Sequence, residues 1–522
     1  MEVSMKLSHL PQSLLLRVVA AACAVSTASC ALAQTITVLP DNHYQTIRGF
    51  GGHNGPGWIP DLTPVQIDTA FGTGAGQIGL SIMRMRIDAS SANWSIQVPA
   101  AQLAKAKGAT LFATPWSPPG YMKTSNSIVH GSLLPAYHGD YATHLLNFAS
   151  FMQANNAGLH AISVQNEPDL DPSYEGCLWT PAEFISFLAS QGPRFGALKV
   201  IAPETQNFKK TFSDPILNDA NAVPQFDIVG GHLYGTTPSD YPLALSKGKE
   251  LWMTEHYIDS AADANDWPKA LPVAVEIHRS MVANYSAYVW WYIRRSYGLL
   301  TENGQVSKRG HIMAQYAKHV RPGDTRVGAT EKPYADVFVS AFKDANGKIV
   351  VVAVNTGATQ RHVDFNFGTG TASSLLKYTT SAVANGEYGG EYAVNNGVAS
   401  AELEPSSVTT FIKQPAAVDL TASVMIGRSG LTTDRHTGQF HAVISVTNNT
   451  TTLLAGTLQL ALEGLGPNVG VDNRSGERKG MPYIAVPATA IAPGATVNVP
   501  VTFSNPSKVG ITYVPRLHRI TY

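Results

Sequence analysis

Charge is scarce in this sequence. Lysine, arginine, aspartate and glutamate make up only 14% of the 522 residues, and 37 basic side chains cancel 37 acidic ones. Such a chain has no broad basic field to hold a phosphate backbone, which excludes nucleic acid as the main partner. Cysteine is scarcer still, with three in all, and Cys23 and Cys30 fall in an N-terminal stretch that reads as removable. Cys177 is then left alone, so no intramolecular disulfide is expected. Its setting, Tyr174-Glu175-Gly176-Cys177-Leu178-Trp179, is largely apolar and suits a buried structural thiol better than a nucleophile. Past the N-terminus no run approaches the ~20 apolar residues that span a bilayer, so no membrane partner is expected. The 16 histidines form no H-E-x-x-H pattern and no Cys/His cluster at metal spacing, which predicts neither a metal nor an organic cofactor. Gly49-Phe50-Gly51-Gly52 lacks the third glycine of a dinucleotide fingerprint and reads as a tight turn on a first strand.

What is present points to a globular protein of about three domains. Hydrophobic residues reach 44%, enough for a sizeable core. At the N-terminus Lys6 and Arg17 flank an apolar run that ends in small residues and Ala31-Leu32-Ala33. An A-x-A site followed by Gln34 predicts a signal peptide over 1–33 and a secreted protein, extracellular or periplasmic. A lipid anchor would want leucine three positions before Cys23 or Cys30, and neither has it.

From Gly49 to about Ile293, short apolar or β-branched runs alternate with helical stretches, the mark of βα units around a parallel sheet. The strand candidates are Gly49-Gly52, Ser81-Ile87, Thr110-Thr114, Ala161-Gln165, Lys199-Ala202, Asp227-His232, Glu250-Thr254 and Ala287-Tyr292. Their number and spacing predict an α/β fold, a (β/α)8 TIM barrel. Helices are expected at Pro99 to Lys107, Tyr141 to Asn155, Thr180 to Gln191 and Ala270 to Asn284. Thr180, Pro181 and Glu183 have the order of an N-cap, an N1 proline and a capping-box partner.

After about residue 320 the helical period gives way to alternating runs such as Ala335-Val339, Ile349-Val354 and Ser407-Phe411, with turn signals at Asn385-Gly386 and Gly389-Gly390. These predict an associated side β-domain, and the strand-like Thr35-Leu39 could pair with it. Beyond Pro415, runs at Phe440-Val446, Thr457-Leu462, Thr496-Phe503 and Ile511-Val514 suggest a C-terminal all-β sandwich with few aromatics. The expected organisation is a leader at 1–33, an N-terminal strand at 34–48, the barrel at 49–320, the side β-domain at 321–414 and the sandwich at 415–522.

Chemistry in such a barrel sits where strands end. Two expected strands end in glutamate: Glu167 after Ala161-Ile162-Ser163-Val164-Gln165-Asn166, and Glu255 after Leu251-Trp252-Met253-Thr254. They fall on the fourth and seventh strands, close enough across the barrel mouth to reach one bond. Neither has a lysine or arginine in its own strand end, so a purely structural ion pair is the weaker reading. Two carboxyls flanking a glycosidic bond are what glycoside hydrolysis requires.

The arrangement Val164-Gln165-Asn166-Glu167-Pro168 followed by Trp252-Met253-Thr254-Glu255-His256-Tyr257 resembles glycoside hydrolase family 30. So do Gly49-Phe50-Gly51-Gly52, Arg84 within Ser81-Ile87, Thr114-Pro115-Trp116-Ser117-Pro118-Pro119 and His232-Leu233-Tyr234. The resemblance runs from about Thr35 to Lys413. It implies a barrel with a side β-domain, retention of anomeric configuration, Glu167 as general acid/base and Glu255 as nucleophile. With it come Trp116 as a sugar-stacking surface, Asn166 on the sugar 2-hydroxyl, Arg84 bracing the nucleophile, and His232 and Tyr234 at the mouth.

Within that family the chain is most similar to the bacterial glucuronoxylanases, which cut xylan beside a (methyl)glucuronic acid branch. The similarity implies a uronic acid site of Tyr257, Ser260, Trp291, Arg295 and Tyr297. A guanidinium can grip a carboxylate through two parallel hydrogen bonds, and whether Arg294 joins Arg295 is left open. The expected partner is glucuronoxylan, acted on by a monomer. Alternatives are a family 30 hydrolase of β-1,6-glucan or a glucosyl lipid and, for 415–522, a non-catalytic carbohydrate-binding module.

Overall fold

The computed structural model describes residues 33–258, 263–368, 373–466, 468–478 and 481–521. Nearly all of the expected leader lies outside them. Strand β1 (Gln34–Thr46) comes first and belongs to a sheet completed far downstream. The next eight strands close a parallel barrel: β2 (Gly49–Asn54), β3 (Ile82–Ile87), β4 (Thr110–Pro115), β5 (Ala161–Ser163), β6 (Lys199–Thr205), β7 (Ile228–His232), β8 (Glu250–Glu255) and β9 (Tyr285–Tyr292). Between and after them run α1 (Pro64–Phe71), α2 (Val98–Ala106), α3 (His138–Ala154), α4 (Pro181–Gln191), α5 (Lys210–Asn218), α6 (Pro242–Ser246), α7 (Trp267–Val282) and α8 (Lys308–Ala317). Helix α4 starts on the expected capping box: Thr180 Oγ1 accepts from Glu183 N–H at 3.3 Å, and the Glu183 carboxylate accepts from Thr180 N–H at 2.6 Å.

The glycines of β2 serve close packing. A Cβ on Gly51 would stand 2.3 Å from the Ile82 carbonyl oxygen, so only glycine lets β2 and β3 approach this far. Low in the barrel, Ile82, Phe112, Ala161, Ile201, Ile228, Trp252, Ala287 and Val289 form a core of their own. The interior is therefore packed shut, and chemistry is confined to the strands' C-terminal end.

Among the strands whose ends depart from the sequence reading, two carry acids of the site. Strand β5 stops at Ser163, two residues before the expected Gln165. The backbone then leaves the ladder: Asn166 N–H donates to Pro115 C=O at 2.9 Å and Glu167 N–H to Glu204 C=O at 3.1 Å. Glu167 sits at φ +42°, in the left-handed region that disfavours side chains. Strand β6 does not end at Ala202 but passes Pro203 to Thr205, because a bulge at Glu204, φ +65°, absorbs the missing donor.

The side domain is one nine-stranded sheet in the order β15-β14-β17-β12-β11-β10-β1-β13-β16. Its strands are β10 (Thr325–Ala329), β11 (Val337–Lys343), β12 (Ile349–Asn355), β13 (Arg361–Asn366), β14 (Ser373–Thr380), β15 (Asn385–Val394), β16 (Val398–Leu403) and β17 (Ser407–Gln414). The sheet curls around its own core of Ile36, Val351, Phe365, Leu375 and Phe411, while Phe342, Val350, Val352 and Val408 join the barrel core. Polar links tie the two together: the Trp267 indole donates to Ser406 C=O at 3.0 Å, and Gln315 donates to Thr380 Oγ1 at 2.8 Å.

Past residue 415 two small antiparallel sheets enclose Ile444, Leu460, Val499, Phe503 and Leu517. The last strand runs Val514–Thr521, later than the expected Ile511-Val514, because Pro515 is tolerated opposite Leu462. Exposed large apolar side chains here are aliphatic, such as Met425 and Leu453. No described helix is long and apolar enough to cross a membrane.

Candidate active site

Glu167 and Glu255 converge above the apolar plug. One carboxylate oxygen of each, with one His232 ring nitrogen, lie within 4.8 Å of one another. Both glutamates are 6–7% exposed and line a cavity of about 460 Å³. Glu255 is held on two sides: Arg84 Nη1 donates to its Oε2, and the Tyr234 hydroxyl to its Oε1 at 2.8 Å. Glu167 meets His232 Nδ1 at 3.0 Å. That same nitrogen stands 3.9 Å from Glu255 Oε1, so the imidazole faces both carboxylates.

Beneath the pair is a third carboxylate that the sequence reading did not single out. Glu204 is fully buried. Its Oε1 accepts from Arg84 Nη2 at 3.0 Å, and its Oε2 from Ser163 at 2.5 Å and Thr114 at 3.2 Å. Its Oε1 also lies 3.7 Å from His232 Nε2, an electrostatic distance and not a hydrogen bond. Burial alone would raise the Glu204 pKa, but Arg84, then His232 and Ser163, outweigh it and bring it down to about 2. For His232, burial disfavours the charge, yet Glu255, Glu167 and Glu204 raise its pKa to about 9. An imidazolium with both nitrogens turned to carboxylates has no lone pair to give. The Glu167, His232, Glu255 trio, close enough to ring a metal ion, therefore fits a proton and charge network better than a metal site.

Arg84 links everything. Besides the two glutamates it donates to Asn166 Oδ1 at 2.7 Å, and its guanidinium lies over Trp116 at 4.7 Å and Trp291 at 5.9 Å. Trp291 stacks on His53 at 4.5 Å, and Trp116 meets Trp58 edge-on at 4.8 Å. Trp58 is backed by Arg86, 4.7 Å from its ring, and Arg86 is anchored by Glu175 and Asp88. The three tryptophans, with Tyr174, Tyr257 and Tyr292, wall the cavity. Aromatic faces in a cleft with two acids suit the apolar faces of sugar rings.

To one side, Tyr257 stacks on Tyr297 at 4.7 Å and meets Tyr234 at 5.5 Å. Arg295 lies beside them, its guanidinium 5.9 Å from the Tyr292 ring and 3.5 Å from Glu302, its side chain 42% exposed. Arg294 points elsewhere and donates to Pro60 C=O at 2.7 Å, so the adjacent arginines have separate tasks. His256 turns to Glu276 at 2.8 Å, away from the acids. Cys177 is buried, and burial pushes its thiol up to about 12.

The structure thus brings Arg84, Trp116, Asn166, Glu167, His232, Tyr234, Glu255, Tyr257, Trp291, Arg295 and Tyr297 to one end of the barrel. Ser260 lies outside the described residues. Sequence reasoning missed Glu204, Trp58, Tyr174, Glu175, Gln206 and Tyr292. Glu204 carried the same signal as the others, an acid closing an apolar run, hidden by Pro203.

An eight-stranded barrel with paired acids in an aromatic cleft defines a glycoside hydrolase. Residues 80–249 match the Glycosyl hydrolase family 30 TIM-barrel domain, and residues 323–411 match that family's beta sandwich domain. The chain belongs to glycosyl hydrolase family 30. It is 45% identical over 379 residues to the glucuronoxylanase XynC of Bacillus subtilis, spanning 70% of this chain and 89% of that protein. Among solved structures, the family 30 subfamily 8 xylanase Xyn30A from Clostridium acetobutylicum is 37% identical, with a TM-score of 0.68 over 73% of this chain and 99% of that one. A family 30 endoxylanase from Clostridium papyrosolvens is 38% identical, with a TM-score of 0.67 over the same shares.

Proposed function

We propose that this protein is an exported endo-β-1,4-xylanase that cuts glucuronoxylan beside its (methyl)glucuronic acid branches, with retention of configuration. The observation that carries the mechanism is the approach of the Glu167 and Glu255 oxygens to within 4.8 Å. Carboxyls about 5 Å apart suit double displacement, whereas inversion needs roughly 6.5–9.5 Å to seat a water between them.

In this reading Glu255, fixed by Arg84 and Tyr234, attacks the anomeric carbon while Glu167 gives its proton to the leaving oxygen. Glu167 then takes a proton from water, whose oxygen displaces Glu255 from the sugar. Asn166, held by Arg84, stands beside the pair to bond the sugar 2-hydroxyl. Trp58, Trp116 and Trp291 supply stacking faces.

Xylan as substrate rests on the similarity to a glucuronoxylanase and two xylanases. The branch preference rests on Arg295, a partly exposed side chain beside Tyr292 and the stacked Tyr257 and Tyr297, of which Tyr257 and Tyr292 line the cavity. Neutral β-1,6-glucan or a glucosyl lipid offers no carboxylate for it. Digestion of glucuronoxylan with mass analysis of the products tests the reading: one uronic acid at a constant position in every product is expected. Equal rates on β-1,6-glucan, or on linear xylooligosaccharides, would overturn it. Proton NMR of the first product formed reads the anomeric outcome.

A further inference from the structure

We infer that Glu204 is a positioning residue that sets the charge balance of the catalytic pair, so that both steps of the reaction run in an electrically neutral cluster. The inference rests on the roles given above to Glu167 and Glu255. Glu204 is absent from the cavity lining and fully buried, so it acts through other side chains. Arg84 comes to it from β3, Thr114 from β4, Ser163 from the end of β5 and His232 from β7. Its backbone carbonyl also accepts the Glu167 N–H at 3.1 Å.

Charges can be followed through the cycle. Before reaction Arg84 and His232 are cations, Glu204 and Glu255 anions, and Glu167 neutral, so the cluster sums to zero. As the bond from Glu255 to the anomeric carbon forms and the glycosidic bond breaks, the Glu167 proton leaves with the departing oxygen. Glu255 is then a neutral ester and Glu167 the anion, and the sum is again zero. Hydrolysis of the ester reverses both changes. Around Glu167 stand His232, Arg84 and Glu255, with Tyr174 and Tyr234 within electrostatic reach and Glu175 on the same wall. None of them replaces the charge of Glu204. Without it the cluster is cationic throughout. Both catalytic glutamates would then sit in an excess of positive charge, and His232 would lose one of the two anions it faces at each stage.

The test uses the full-length enzyme and glucuronoxylan, with kcat/KM followed against pH for wild type, Glu204→Gln and Glu204→Asp. In Glu204→Gln the whole bell should move to lower pH by about one unit, the size expected when one charge within ~4–6 Å is removed. In Glu204→Asp, which keeps the charge, the bell should stay in place while kcat falls. An unmoved bell in Glu204→Gln overturns the inference, as does an equal shift in Glu204→Asp, which would mean shape and not charge. Should Glu204→Gln fail to fold, imidazole NMR of the wild type decides. A His232 signal titrating near 9 is expected, and one titrating at or below the ordinary value of 6.5 overturns the inference. Activity retained in Glu255→Gln would strike the catalytic assignments instead, so the two failures are distinct.

Discussion

The Tyr234 hydroxyl donates to Glu255 Oε1 across 2.8 Å, while the other oxygen of that carboxylate is held by Arg84. Burial first, then the Glu255 charge, raise the Tyr234 phenol well above its ordinary range, so it remains a donor at any working pH. Removing it frees one side of the nucleophile. A hydrogen bond to a charged group is worth about 1.5–3 kcal/mol, so Tyr234→Phe should lower kcat by about ten- to a hundredfold with little change in KM. Steady-state kinetics on glucuronoxylan check this.

Glu255→Gln should abolish turnover of every substrate. Glu167→Gln should lose xylan cleavage yet still release an activated phenol from an aryl xylobioside, since such a leaving group needs no proton. Comparing release rates from activated and unactivated aryl glycosides separates the two roles.

Arg295→Ala should cut kcat/KM on glucuronoxylan by about tenfold, because its partly exposed side chain makes solvent-screened bonds. Rates on linear xylooligosaccharides should not change. The ratio of the two rates is the measurement.

Stability should depend on pH through the buried cluster. The Glu204 pKa falls from 4.5 unfolded to about 2 folded, so its contribution is complete above 4.5 and is lost as pH falls through about 2. The His232 pKa rises from 6.5 to about 9, so its contribution is complete below 6.5 and is lost as pH rises through about 9. Thermal unfolding should therefore show a plateau in Tm between about 4.5 and 6.5, falling on either side, and Glu204→Gln should flatten the acid side.

Cys177 is 1% exposed with a thiol pushed up to about 12. Thiolate, not thiol, reacts with alkylating agents. Iodoacetamide should leave the native enzyme fully active and modify Cys177 only after unfolding, as peptide mass measurement would record.

Barrel strands were legible because each is a buried apolar run closed by a polar or turn-forming residue. Glu167 and Glu255 were legible for the same reason: an acid ending such a run must face the mouth. Glu204 obeys that rule but follows Pro203, which ordinarily ends a strand, and only the bulge at β6 carries pairing past it. Trp58, Tyr174 and Glu175 were not legible. They lie on loops whose paths depend on contacts between segments distant in sequence, such as the bridge from Val129 to Glu175 and the Arg86 to Glu175 ion pair. The separate fates of Arg294 and Arg295 are likewise set by Pro60, in the loop after the first barrel strand.

Strand β1 pairs antiparallel with β10 and parallel with β13. It joins two parts of a sheet whose other strands are translated only after the whole barrel. The side domain therefore cannot close until the barrel has been synthesised: its inner strand waits, unpaired, from Thr46 to Thr325, a long-range pairing of the slow kind. An affinity tag fused hard against Gln34, or a trimmed start at Arg48, would act on the middle of that sheet and open two unprotected edges to neighbouring chains.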